Sequence, residues 1–240
     1  IYQYTVKPIL SNLDIKFLTI ETLTPCINEN MFDHDMYECC YEYKHSNTVT
    51  KNLHEIEDID SYTSIIAIGG DGTLHAIYNS LYKLDKLNVP VSVISTGSGN
   101  GIAKCVTKFH SLDESPTPMQ CLFRILTGKK RVLSLSYCTQ EKEKEKEKEE
   151  KQCVSILSQS WGLPSDVDIG SEFMRSIPLL GNNRFTIMTI YRMLNLYTYK
   201  GSIDYLPVNE ENKKQIHKYS KLDIHDELDE TWKRISGEFI

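Results

Sequence analysis

Two short glycine-rich stretches hold the residue types best suited to chemistry. The first is Gly69-Gly70-Asp71-Gly72-Thr73. Glycines let a backbone approach a polyphosphate closely and donate its amides to it. A helix beginning just after them adds its positive end. Asp71 is the unexpected member, because a carboxylate repels phosphate. Its presence points instead to a proton acceptor, or to an indirect partner of magnesium. Read blandly, the same residues form a tight turn with an aspartate cap. The second stretch is Gly97-Ser98-Gly99-Asn100-Gly101. No Gly-Lys-Ser/Thr follows, so it is not a Walker loop, and its spacing does not fit a dinucleotide fingerprint.

A third cluster lies downstream, in Trp161-Gly162-Leu163-Pro164-Ser165-Asp166-Val167-Asp168 followed by Glu172, Arg175 and Arg184. Two acids two residues apart and then arginines suit a ligand with a cation at one end and phosphate at the other. A surface ion-pair cluster accounts for the spacing equally well. His75, just after the first glycine turn, reads as structural, and no nucleophile elbow accompanies it.

The elements around these residues explain how they could meet. Ile65-Ile66-Ala67-Ile68 is a continuous apolar run ending at Gly69-Gly70, the pattern of a buried parallel strand. Leu74, Ile77, Tyr78, Leu81 and Leu84 follow at helical spacing. Val89 to Ile94 forms a second strand ending at the second glycine turn, and another helical stretch starts at Ile102. Strand, glycine turn and helix, twice over, predict a parallel α/β sheet with both turns at the strand ends where such sheets bind ligands. Pro118 to Thr127 reads as a helix closed by Gly128. Upstream, Asp14 to Thr22 alternates like a strand, and Pro25 to His45 reads as an irregular insertion.

From Arg131 the period changes to alternation, with strands expected at Val132–Tyr137 and Val154–Ser158. The Glu/Lys run 141–151 between them cannot bury surface and reads as a solvated loop or fluctuating helix. Arg184 to Tyr197 has helical spacing, Ser202 to Val208 alternates, and Asn209 to Glu230 is a charged linker. The expected organisation is an α/β half, 1–128, followed by a β-rich half, 129–240.

Composition narrows the classes. The chain has 240 residues, 40% hydrophobic and 25% charged, and a net charge of −6. That sign argues against a nucleic-acid partner and against constitutive docking to an anionic membrane. Seven cysteines without C-x-x-C spacing fit cytoplasmic thiols rather than a disulfide framework or a zinc site. No run reaches the length of a membrane span. The ends, Ile1-Tyr2-Gln3-Tyr4 and Ile235 to Ile240, read as those of a fragment.

Gly69-Gly70-Asp71-Gly72-Thr73-Leu74-His75 with Thr96-Gly97-Ser98-Gly99-Asn100 resembles the diacylglycerol-kinase catalytic superfamily. Ser158-Gln159-Ser160-Trp161-Gly162, Asp166-Val167-Asp168, Ser171-Glu172, Arg184-Phe185-Thr186, Tyr197 to Gly201 and Tyr205-Leu206-Pro207-Val208 look like its sphingosine kinases in particular. The resemblance runs from about Val6 to Val208 and recurs weakly at Trp232 to Ile240. It implies an α/β nucleotide-binding domain related to that of NAD kinase, a β-rich lipid-binding domain, and ATP with magnesium between them. Asp71 would be the catalytic base. Gly69, Gly70, Gly72, Ser98 and Thr22 would lie along the nucleotide, and Glu172, Arg175 and Arg184 would contact it. Ser158 and Asp168 would hold the polar head of the lipid. No protein metal site is implied.

The implied activity is phosphorylation of the primary hydroxyl of a sphingoid base, in a cytoplasmic protein that touches membranes transiently at their surface. The departures are Ala76, where the family usually has Glu; the longer stretch Ile177 to Leu180; and Gly72-Thr73, closer to the diacylglycerol and bacterial lipid kinases. An Asn-Pro-x-x-Gly-type loop before Val6 and an Asp-Gly-Glu-type strand after Ile240 are expected outside the chain, so weak activity is expected of it alone. Diacylglycerol, ceramide and NAD stay open as acceptors, as does a catalytically dead lipid-sensing or scaffold relative.

Overall fold

A computed structural model of the chain describes residues 2–13, 15, 18, 53–56, 58–107, 115–144, 147–177, 179–208 and 226–240; at 2, 107, 140–144, 147–151, 175 and 176 it describes the backbone alone. The expected early strand and insertion, and most of the charged linker, lie outside the described residues. The chain divides into two compact units, 1–159 and 160–240. The whole is mixed α/β with a small parallel sheet.

The first unit is built on β1 (Ile65–Gly69) and β2 (Val91–Ser95), parallel neighbours in register from Ile65↔Val91 to Gly69↔Ser95. Successive residues of a strand face opposite sides, and here both sides are covered. Ala67 joins Leu74, Ile77 and Leu81 of the helix α2 (Asp71–Lys83) in one core, against which Ile65, Val91 and Val93 pack. Ile94 joins Val6 and Leu10 of the N-terminal segment, which includes α1 (Lys7–Asn12), in a second core with Ile66 and Ile68 against it. Burial on both faces is why β1 reads as an unbroken apolar run. Strand β1, helix α2 and strand β2 thus make one βαβ unit.

Helix α3 (Gly101–Thr107) follows β2, and α4 (Pro118–Thr127) supplies Cys121 and Leu122 to the second core. A capping box starts α4: Gln120 N–H donates to Thr117 Oγ1 at 3.3 Å, and Thr117 N–H donates to Gln120 Oε1 at 2.8 Å. Gly128 closes the helix, as expected, although its φ of −77° is not left-handed. It is required by close approach instead, since a Cβ there would meet the Arg124 carbonyl oxygen at 2.3 Å.

The Glu/Lys run departs from expectation. Its described residues form the outer part of an antiparallel ribbon, β3 (Ser136–Lys144) and β4 (Glu147–Ser155), rather than a loop or a helix. The alternation itself permits this, because the register sets Lys142 opposite Glu149, Glu143 opposite Lys148 and Lys144 opposite Glu147. This ribbon belongs to the first unit, which runs to Gln159. Its root is held to α2 by Asn79, whose side-chain amide accepts from Val154 N–H at 2.9 Å and donates to Val154 C=O at 2.8 Å.

The second unit contains α5 (Leu163–Ser171), a 3-10 turn (Glu172–Ser176), α6 (Asn183–Leu194) and an antiparallel ribbon of β5 (Tyr199–Tyr205) with β6 (Lys233–Phe239). Helices outweigh strands among its described residues, and the β-rich second half is not confirmed. Helix α5 was not expected as an element, although Pro164 in its first turn is a common helix start. Trp161 packs between Tyr199 and Phe239, with ring centroids 6.0 and 5.1 Å away.

Candidate active site

The parallel pairing of β1 and β2 brings the two glycine turns side by side. Thr96 N–H donates to Gly69 C=O at 3.0 Å, extending the ladder into the turns. Beyond it the backbones touch: a Cβ on Gly97 would sit 2.6 Å from Gly70 Cα, and one on Gly70 would sit 3.1 Å from Gly97 Cα. Only hydrogen fits at either position without moving a backbone. Asn100, with a φ of 55°, folds its side chain over this turn, accepting from Gly97 N–H at 3.0 Å and donating to Gly97 C=O at 2.6 Å. Asparagine tolerates that left-handed backbone better than most residues.

Asp71 joins the two turns. It opens α2, yet its carboxylate reaches the other loop and accepts from Gly101 N–H at 2.8 Å and Ile102 N–H at 3.0 Å, the first amides of α3. The side chain therefore caps a helix, but the neighbouring one rather than its own. An ionised carboxylate has about four lone-pair directions. Two are used here, so both oxygens can still accept a proton or a further hydrogen bond. One carboxylate thus links the two turns while keeping lone-pair capacity on both oxygens, which a general base needs.

The surroundings of α2 settle two smaller points. His75 is half-buried with Nε2 3.2 Å from Asn79 Nδ2, in keeping with a structural reading. Ala76 is 2% exposed and packs within the first core, which suits its small apolar side chain. Ser98 and Ser158 are both exposed in the first unit, Ser98 at the tip of the second glycine turn. Gly69, Gly70 and Gly72 lie in the first turn, whereas Thr22 lies outside the described residues.

The remaining candidates belong to the second unit. On α5 the acids Asp166 and Asp168 are two positions apart, about 200° around a helix, and they diverge accordingly. Asp166 is 6% exposed and accepts from the Tyr199 hydroxyl on β5 at 2.8 and 2.9 Å. Asp168 is exposed and lines a depression of about 420 Å³ with Leu163, Pro164, Val167, Phe185 and Thr189. The two acids therefore cannot act as a pair on one ligand; Asp166 fastens α5 to the ribbon and Asp168 is the ionisable group of that depression. Arg184 is 3% exposed and forms an ion pair with Glu172 at 3.1 Å, while its guanidinium lies 4.5 Å from the Phe185 ring centroid. Both residues thus already engage each other. Of Arg175 only the backbone, in the 3-10 turn, is described.

Sequence reasoning did not single out Asn79, Tyr199 or a role for Asn100. The first two act on partners 75 and 33 residues away, and no local pattern marks such contacts. Asn100 did carry a signal, its place inside a glycine-rich turn where positive φ is needed. Among the described residues no group of three or more His, Cys, Asp or Glu is disposed to hold a metal ion. Among the same residues no helix is long and apolar enough to cross a membrane.

Comparison with known proteins points the same way as the glycine turns. A family model described as the diacylglycerol kinase catalytic domain matches residues 16–137. The chain is 32% identical over 160 residues to human sphingosine kinase 2, covering 64% of this chain and 23% of that protein. It is 26% identical over 211 residues to Arabidopsis thaliana sphingosine kinase 1, covering 86% of this chain and 36% of that protein. With the sphingoid long chain base kinase 4 of Schizosaccharomyces pombe the identity is 29% over 181 residues, 74% of this chain and 35% of that one. The chain thus spans well under half the length of these curated relatives.

Proposed function

The chain belongs to the diacylglycerol kinase catalytic domain family, and on that premise we propose that it is the central part of a lipid kinase that moves the γ-phosphate of ATP to the primary hydroxyl of a sphingoid base. The observation that carries this reading is the contact of the two glycine turns at adjacent parallel strand ends, with the Asp71 carboxylate between them. Amides and a helix N-terminus at the turns suit the nucleotide phosphates, with Gly69, Gly70, Gly72 and Ser98 along them and Thr22 nearby. Asp71 receives the proton of the attacking hydroxyl. Magnesium accompanies ATP and draws most of its ligands from phosphate and water, so a cage of carboxylates is not required.

The second unit supplies the argument for an amine-bearing lipid. Among the described residues lining it, Asp168 is the one ionisable group of an otherwise mostly apolar depression, which suits a cationic head followed by an alkyl chain. Diacylglycerol has no cation to match it. Ser158 would add a hydroxyl to the head, and Arg175, with the Glu172–Arg184 pair, would serve the nucleotide. The similarity to sphingosine kinases of human, plant and yeast origin supports the same substrate class. Such a protein would act in the cytoplasm and meet its lipid at a membrane surface without spanning it.

The test is phosphate transfer from labelled ATP by the natural full-length polypeptide, with sphingosine, diacylglycerol, ceramide and NAD offered side by side. Asp71→Asn serves as the blank, and its ATP affinity is measured in parallel because Asp71 also holds the second turn. Transfer to sphingosine, lost in Asp71→Asn with ATP binding retained, is the expected result. Transfer to another acceptor moves the substrate. No transfer to any acceptor by folded protein overturns the kinase reading and leaves the non-catalytic relative.

A further inference from the structure

The β3–β4 ribbon places two cysteines opposite each other. Cys138 and Cys153 are Cα partners in its register, and both are half-buried thiols in the structure. The geometry of this pair follows from its neighbour. In an antiparallel strand the N–H and C=O of one residue point to the same side. Those of Val154 go to Asn79 on α2 and not to β3, so Val154 and Tyr137 form a non-hydrogen-bonded pair. The adjacent pair, Cys138 with Cys153, is then a hydrogen-bonded one, with Cα atoms about 5.5 Å apart. Disulfides span Cα separations of roughly 4.4–6.8 Å but need Cβ atoms about 3.5–4.5 Å apart, so the two Cβ atoms, up to about 5.5 Å apart in such a pair, draw together as the bond forms. Directly opposite side chains also leave the ribbon on the same face. Tyr137 stacks edge-on with Tyr82 of α2, centroids 5.9 Å apart; by alternation, the cysteines project from the opposite face. There Gln159 Nε2 donates to Cys138 Sγ.

We propose that Cys138 and Cys153 are a reversible thiol–disulfide site, closed by a peroxide oxidant and reopened by a dithiol. One sulfur, as thiolate, attacks a peroxide oxygen; the O–O bond breaks, and the sulfur becomes a sulfenic acid as hydroxide leaves and is protonated. The second thiolate attacks that sulfur, the S–S bond forms, and the sulfenic hydroxyl departs as water. In sum, two thiols and one hydrogen peroxide give a disulfide and two waters. A dithiol reductant reverses this, taking up the two-electron oxidation as its own disulfide. The other described cysteines do not share the arrangement: Cys121 is sealed in a core beside Ile94, and Cys105 is exposed on α3. The closed form would tie the ribbon one residue from the Asn79 clamp, and so next to the helix that opens with Asp71.

The test uses the 240-residue chain. It is exposed to graded hydrogen peroxide, quenched in acid, unfolded, alkylated with N-ethylmaleimide and digested with trypsin. The lysines between positions 142 and 151 let trypsin separate the two cysteines, so they stay together only if bridged. The expected product is a linked peptide pair joining Cys138 to Cys153, with loss of alkylation at both positions and full recovery after dithiothreitol. Backbone amides of β3 and β4 should also exchange several-fold more slowly in the oxidised chain. Cys138→Ser and Cys153→Ser should each abolish the linked pair and leave the other cysteine alkylated. The wild-type result stands without these variants should either fail to fold. Persistence of both thiols at peroxide doses that oxidise Cys105, linkage of either to another cysteine, or sulfinic acid at both positions overturns the proposal.

Discussion

Replacing Asn79 by alanine should cost the first unit about 2–3 kcal/mol. The substitution leaves the N–H and C=O of Val154 without the side chain that satisfies them at 2.9 and 2.8 Å, and Val154 is only 3% exposed. A buried backbone group that loses its partner costs about 1–3 kcal/mol, so two such groups set a range of roughly 2–6 kcal/mol. Partial relaxation and water entry at the ribbon root should hold the cost near the lower end. Alanine is the better helix former by about 0.7 kcal/mol, which offsets a small part. The lost satisfaction therefore wins by a clear margin. In urea, with a slope of about 2–3 kcal/mol per molar, the midpoint should fall by about 1 M. Hydrogen exchange localises the effect: the Val154 amide should lose protection before the amides of β1 do. Asn79→Asp should not rescue it, because the second oxygen would face the Val154 carbonyl in place of a donor. An unmoved midpoint with Val154 still protected would show that the ribbon is held by something other than this amide.

Gly97→Ala should weaken ATP binding by at least tenfold, because its Cβ would lie 2.6 Å from Gly70 Cα and force the two turns apart; unchanged affinity in a titration would refute the paired-turn site. Thr117→Ala removes the acceptor for Gln120 N–H and should lower stability by about 1 kcal/mol, measured as a denaturant midpoint shift. On the second ribbon, the hydrogen bond from Arg234 lowers the pKa of Asp204; desolvation opposes it in part, and the charge of Arg234 adds a lesser lowering. A depressed carboxylate contributes stability above its unfolded value, and loses it as pH falls through the folded one. Pairing of β5 with β6 should therefore be insensitive to pH near neutrality and weaken below about pH 4. Arg234→Gln should flatten that dependence, as followed by amide exchange along Tyr199–Tyr205.

The parts of this fold legible in the chain are those whose cause is local. Ile65 to Ile68 announces a buried strand because both its faces meet cores, and α2 announces itself because Leu74, Ile77 and Leu81 return to one of them. The two glycine turns were legible as neighbours at adjacent strand ends for the same reason, since their flanking strand and helix fix where each turn must lie. Helix α5 was not, because Pro164, Ser165, Asp166, Asp168 and Gly170 are poor helix formers and its stability comes from packing and from Tyr199. The Glu/Lys run misled for the opposite reason. Its composition is that of a solvated segment, yet its alternation happens to match charges across a ribbon whose register is set at the Val154 end. The separate fates of Asp166 and Asp168 became visible only once they were seen to ride on a helix.

The Asn79 contact also bears on how this protein avoids sticking to itself. A two-stranded ribbon has two open edges, and each is a template on which another chain can add a strand. At Val154, in the apolar root of the ribbon, the outward N–H and C=O of β4 are already occupied by a side chain from α2. Farther out, that strand is Glu147 to Lys151, where charge discourages an incoming partner. The stretch of β4 best suited by composition to recruit a neighbour is thus the stretch where the helix has already taken the bonds, and aggregation of the chain should begin there only after Asn79 lets go.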